Sequence, residues 1–310
     1  MRTPRRTLSA LTAGGAALAL ALTGCSDGGS GGGEGELSGA SLTVGSKEFT
    51  ESHVLAQIAM VALEHAGADI TDQTGISGSA TVREALETGE IDLYWDYTGT
   101  GWVNILGNTT EDLPEDLYGA VVEADAENGI AWLEPAHFEN TYRIATTEDF
   151  AAEHGLTNMT EAAEFISDHP DESAVCAASE FINRDDGLPG LEEDYGFEFG
   201  EVVELDLNLI YTQVGDSCQF GEVFSTDARI SSNALAVLDD DANFFVPYAG
   251  VVTLRQETLD EYPAIAEILD PISAELTDEV MIELNGKVDN DGEDPRDVAE
   301  EWLEDQGFLS

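Results

Sequence analysis

The sequence predicts a two-domain α/β protein whose domains face each other across a cleft. Three observations predict this. From residue 40 onward, strand-like and helix-like segments alternate along the chain. That stretch is long for one domain and comfortable for two. No segment after the N-terminus is long and apolar enough to cross a bilayer. Two α/β domains meeting at a hinge set loops at their strand ends opposite each other, and small-molecule sites favour such interfaces.

The elements follow from periodicity and stop signals. Leu42, Thr43 and Val44 form a short apolar strand that ends at Gly45. Residues 50–66 read as a helix with Val54, Leu55, Ile58, Val61 and Ala62 on one side and Gly67 as its stop. Val82, Ala85 and Leu86 mark a second helix closed by Gly89, and residues 91–95 read as the next strand. Residues 132–133 and 142–145 look extended. A second block repeats the pattern, with helix-like stretches at 160–167 and 190–195 and strand-like ones at 174–177 and 202–205. Further strands are expected at 235–238 and 244–252, then helices around 259–269, 278–284 and 295–306. Such alternation predicts mostly parallel sheets. No internal repeat is visible.

The N-terminus predicts export. Arg2, Arg5 and Arg6 precede an apolar run from about Leu8 to Leu22, followed by Leu22-Thr23-Gly24-Cys25. Basic start, short apolar stretch and small residues before a cut site define a secretory signal over residues 1–24. The run falls short of the about 20 residues a spanning helix needs. Small residues directly before a cysteine resemble the bacterial lipobox, which implies lipidation of Cys25 and an extracytoplasmic, membrane-anchored chain. Arg5-Arg6 also permits a twin-arginine reading, although the flanking residues match it poorly. Residues 25–39 are rich in Gly and Ser and read as a flexible tether.

Charge narrows the partners. The chain holds 11 basic and 64 acidic residues. Removing residues 1–24 takes away three arginines and no acids, leaving 8 against 64 and a net charge of −56. A polyanion such as nucleic acid would be repelled. The acids are dispersed, which reads as a solvated surface suited to a salty environment. With Cys25 assigned to the anchor, Cys176 and Cys218 remain as an even pair in an oxidising compartment, and a disulfide between them is expected. Closing that loop contributes roughly 4 kcal/mol in the chain-entropy model. No CxxC or HExxH spacing points to a metal, and none of the five histidines shows ligand spacing. Neither metal nor cofactor is expected.

Six segments, in order, resemble the glycine betaine/choline-binding proteins of ABC importers. They are residues 44–51 (Val-Gly-Ser-Lys-Glu-Phe-Thr-Glu), 89–100 (Gly-Glu-Ile-Asp-Leu-Tyr-Trp-Asp-Tyr-Thr-Gly-Thr), 140–142 (Asn-Thr-Tyr), 180–191 (Glu-Phe-Ile-Asn-Arg-Asp-Asp-Gly-Leu-Pro-Gly-Leu), 224–227 (Phe-Ser-Thr-Asp) and 244–248 (Phe-Phe-Val-Pro-Tyr). The resemblance covers about residues 41–309 and is most specific at 89–100. It implies a two-lobed type II periplasmic-binding-protein fold with a hinge and an interdomain ligand cleft. One lobe would hold residues 40–146 plus 249–310 and the other 147–248.

A trimethylammonium group has no N–H donor, so aromatic faces suit it better than hydrogen bonds; each contact contributes about 0.5–2 kcal/mol. The resemblance implies a cage of Tyr97, Tyr142, Phe224 and Tyr248. Phe224 stands where a tyrosine is usual, keeping the π face and losing the hydroxyl. It also implies that Lys47, Thr100 and Arg184 grip the carboxylate of a betaine, which favours a betaine over choline. Ser52 replaces the family's glutamine. Without the motifs, Tyr97, Tyr142, Tyr248 and Phe224 read as sheet or core aromatics, and Lys47 and Arg184 as surface ion pairs. Trp95 and Trp102 read as packing residues.

The resemblance thus implies a monomeric, non-enzymatic binding protein that takes a quaternary ammonium osmoprotectant, glycine betaine first, to an ABC permease. One rival keeps the fold but binds choline, carnitine, another betaine or ergothioneine. A secreted lipoprotein enzyme is disfavoured, because no GxSxG and no metal-ligand cluster is present. A lipoprotein adhesin or osmosensor without a transport role is the remaining rival.

Overall fold

The computed structural model describes residues 35–110 and 112–309. The predicted signal peptide, Cys25 and the first part of the tether lie outside the described residues. The end of the tether is packed rather than free. Leu37 is buried, and its N–H donates to the Ala66 carbonyl at 2.9 Å.

Ten strands build two sheets: β1 (Ser41–Lys47), β2 (Asp69–Ile76), β3 (Leu93–Tyr97), β4 (Ile130–Trp132), β5 (Tyr142–Thr147), β6 (Ala174–Ala177), β7 (Glu201–Glu204), β8 (Phe220–Phe224), β9 (Leu235–Val237) and β10 (Gly250–Arg255). The first sheet has the order β2-β1-β3-β10-β4 and the second β7-β6-β8-β5-β9. The chain therefore leaves the first sheet after β4, completes the second and returns with β10.

The sheets are mixed, not mostly parallel. β1 is parallel to β2 and β3, and β6 to β7 and β8. β10 is antiparallel to β3 and β4, and β5 to β8 and β9. These are the two strands that follow a crossing between sheets. Neither is reached by a helical crossover from its own sheet, so the handedness rule that makes successive strands parallel does not act on them. All of β5 pairs within the second sheet, which places the outward crossing before Tyr142 rather than after Thr146. Residues 244–249, read as strand from sequence, are irregular, and regular pairing starts only at Gly250.

The helix Thr50–His65 is buried almost all round, not on one side. It lies against β1 and β2, and the C-terminal helices Asp278–Asp289 and Pro295–Gln306 cover it. This position demands apolar residues on every face and explains the run from Val54 to Leu63. The helix Ser79–Thr88 ends at Gly89, whose φ of 78° is a left-handed cap that glycine adopts without strain. No helix among the described residues is long and apolar enough to cross a membrane.

Cys176 on β6 and Cys218, just before β8, are joined by a disulfide with Cα atoms 5.7 Å apart. It closes a loop across a sequence separation of 42. Reducing it should lower unfolding free energy by about 4 kcal/mol if the chain-entropy model holds. Urea unfolding with and without reductant measures this, and equal midpoints would contradict it.

Candidate ligand-binding site

Two crossing segments run side by side between the sheets. Glu139 and Ala249 form an antiparallel bridge, and the Asn140 N–H donates to the Tyr248 carbonyl at 3.1 Å. The Tyr248 N–H donates to Glu139 Oε2 at 2.9 Å. These bonds hold the irregular stretch before β10 in place and deliver Tyr248 between the lobes.

Beside the crossings lies a cleft of about 1130 Å³. All seven side chains expected to hold ligand line it: Lys47, Tyr97, Thr100, Tyr142, Arg184, Phe224 and Tyr248. Lys47 and Tyr97 end β1 and β3, and Thr100 opens the wide helical turn Thr100–Ile105. Tyr142 starts β5, Phe224 ends β8, and the two residues pair directly. Pairing sets their side chains on one face of the sheet, with ring centroids 4.8 Å apart. Tyr248 meets Tyr142 edge-on at 5.4 Å. Gly99 permits this approach, since a Cβ there would lie 2.7 Å from the Tyr248 ring.

Sequence reasoning missed Phe49. Its ring lies 5.4 Å from Phe224 and 6.2 Å from Tyr97, so it links the ring of one lobe to those of the other. Its place in the 44–51 motif was the available signal. Trp95 is buried in the core, while Trp102 is partly buried and donates to the Thr109 carbonyl at 3.3 Å.

The two cations of the cleft are already paired. Lys47 Nζ donates to Asp96 Oδ1 at 2.7 Å, and Tyr94 Oη donates to the other oxygen at 2.6 Å. Lys47 Nζ also lies 5.2 Å from the Tyr97 ring centroid. Arg184 forks onto Asp186 through Nε (2.7 Å) and Nη2 (2.6 Å), and its Nη1 donates to Glu180 Oε1 at 2.8 Å. The Tyr248 hydroxyl donates to Asp186. The guanidinium sits 5.5 Å from the Tyr142 ring and 5.9 Å from that of Tyr248.

Glu180 joins the lobes. It belongs to the short helix Ser179–Asn183 but accepts from the N–H (3.0 Å) and hydroxyl (2.7 Å) of Ser79, at the start of the helix Ser79–Thr88 opposite. Burial pushes its carboxyl up, yet Lys47, Arg184 and Ser79 outweigh this and hold it at about 2. Its neighbour Glu222, on β8, is different. Burial pushes it up to about 8, against one N–H bond from Ala178, and the Glu180 charge adds to the rise.

A carboxyl raised in the fold favours the folded state while it stays protonated. The Glu222 contribution is complete below the usual value of 4.5 and is lost as pH rises through about 8. Glu222→Gln, which cannot ionise, should therefore lose less thermal stability than the native chain as pH rises from about 5 to about 8. Parallel melting curves for the two proteins across that range would refute the assignment.

Two α/β lobes, two crossing segments and a cleft between them define a type II periplasmic-binding-protein fold. Residues 40–305 match the family described as the substrate-binding domain of ABC-type glycine betaine transport systems, and the chain belongs to that family. It is 32% identical over 277 residues to the glycine-betaine-binding protein of Pseudomonas aeruginosa, covering 86% of this chain and 88% of that one. It is 31% identical over 269 residues to the ergothioneine transport permease/ergothioneine-binding protein EgtU of Helicobacter pylori, covering 86% of this chain but only 48% of that protein. Among solved structures, apo YehZ from Escherichia coli aligns with a TM-score of 0.63 at 28% identity, over 86% of this chain and 99% of that one. The protein is thus the solute-capturing component of an ABC-type transport system and works outside the cytoplasm.

Proposed function

We propose that the protein captures glycine betaine in this cleft and presents it, as a monomer lipid-anchored through Cys25, to a membrane ABC permease. Tyr97, Tyr142, Phe224 and Tyr248, with Phe49 between them, surround the trimethylammonium group. Lys47, Thr100 and Arg184 take the carboxylate. The observation that carries this reading is that rings from both lobes and the two cleft cations line one cavity. One lobe holds residues 40–141 and 249–310, the other 142–248. Ligand favours closure to the extent that it binds the closed form better, and the Glu180–Ser79 bonds join the lobes through protein groups alone.

One observation favours choline as a second reading. Asp96, Asp186 and Glu180 already offset Lys47 and Arg184. A solute without a carboxylate would not compete with Glu180 for Arg184. Calorimetry of the mature protein against glycine betaine, choline, carnitine and ergothioneine, at low and high salt, tests both readings. The expected result is tightest binding of glycine betaine. Tighter choline binding would select the second reading, and no binding of any quaternary ammonium solute would overturn both.

A further inference from the structure

Behind the ring wall lies a carboxylate to which the reading above gives no role. Glu51, on the helix Thr50–His65, is 3% exposed and accepts hydrogen bonds from four separate segments. Its Oε1 takes the Tyr97 hydroxyl at 2.8 Å and Asn140 Nδ2 at 2.7 Å. Its Oε2 takes the Thr226 hydroxyl at 2.6 Å and Asn285 Nδ2 at 3.1 Å. Both asparagines turn their amide nitrogens toward it, which leaves their own Oδ1 atoms buried without a partner. Donors on every side, recruited at that cost, are what an ionised carboxylate requires. Burial holds the Glu51 carboxyl above the usual carboxylate range, and the same four donors offset that rise only in part.

The charge has no cationic partner of its own among the described residues. A small void beside Glu51 is also lined by Asp227, Arg229 and Asp289, but there both aspartates pair with Arg229. Phe49, Asn140 and Phe224 line both this void and the main cleft, so Glu51 stands one residue layer behind the cage. Its route to the cleft is Tyr97. A phenol that donates to a carboxylate is fixed in rotation, and its ring gains electron density, which strengthens its attraction for a cation.

We propose that Glu51 is a positioning residue for the cation cage: it holds the Tyr97 ring in place and makes its face more negative without touching the solute. This rests on the reading of Tyr97 as a cage wall. The test is a double-mutant cycle of Glu51→Gln and Tyr97→Phe in the mature protein, read by calorimetry with glycine betaine and by thermal unfolding. Each single change should weaken binding at least tenfold, and the double variant should be no more than about twofold weaker than the weaker single one. 3,3-Dimethylbutanoate, an anion in which an uncharged tert-butyl group replaces the trimethylammonium, should lose no more than about twofold in Glu51→Gln, whereas a loosened fold would weaken it as much as glycine betaine. Losses that multiply in the double variant would overturn the proposal. So would Tyr97→Phe binding within twofold of native, whatever Glu51→Gln does to folding. Native protein that binds no quaternary ammonium solute would overturn the functional reading and this proposal together, whereas native binding left intact in Glu51→Gln would overturn this proposal alone.

Discussion

Tyr97→Ala is expected to reduce glycine betaine affinity well over tenfold. The change removes a ring worth about 0.5–2 kcal/mol to a bound cation, and more when water is excluded. It also removes the hydroxyl that donates to Glu51 at 2.8 Å. Glu51 Oε1 keeps the Asn140 Nδ2 bond at 2.7 Å, so the buried carboxyl loses one of its four donors at a cost of about 1 kcal/mol in stability. Phe49 loses its stacked neighbour at 6.2 Å, so the wall between the lobes loosens at the same point. Calorimetry on folded variant checks this, and affinity equal to that of the native protein would remove Tyr97 from the cage.

Arg184→Ala carries the second large effect, and its signature is a change in preference. Arg184 is 4% exposed, and its guanidinium binds Asp186 and Glu180 as well as facing the cleft. Its loss should weaken glycine betaine by at least tenfold more than choline, because only the betaine has a carboxylate for it to hold. The negative charge left on Asp186 and Glu180 acts in the same direction, since it repels a zwitterion's carboxylate and not choline. Stability should fall too, by about 3–5 kcal/mol, as expected when one partner of a buried pair is removed. Competition between the two ligands, measured on native and variant protein, gives the ratio directly. Equal losses would reduce Arg184 to a structural ion pair.

Much of the fold was legible because local pattern carries it. Leu42 and Val44 alternate with polar neighbours, and Gly67 and Gly89 stop helices where the periodicity ends. The misses have local causes. β2 is a polar edge strand, largely exposed, so no apolar run marks it. β8 is interrupted by Gly221 and Glu222, a glycine and an acid in the centre of a buried strand. The aromatic stretch from Phe244 reads as strand, yet it serves to carry Tyr248 across the lobes.

The site divides in the same way. Lys47, Tyr97, Thr100, Tyr142, Arg184, Phe224 and Tyr248 could be named because each sits in a recognisable segment. The contacts that organise them could not. Glu180 meets Ser79 across 101 positions, and Glu51 meets Asn285 across 234. Composition does not pair residues at such separations. Nor could it show that Lys47 and Arg184 are already matched by Asp96, Asp186 and Glu180, which is what makes the choice between a betaine and choline a matter of measurement.

The decisive measurement is a crystal structure of the mature protein with glycine betaine bound. The quaternary nitrogen should lie within about 6 Å of the ring centroids of Tyr97, Tyr142, Phe224 and Tyr248, with the carboxylate against Lys47, Thr100 and Arg184. A nitrogen held away from those rings, or a solute bound outside the interlobe cleft, would contradict the account.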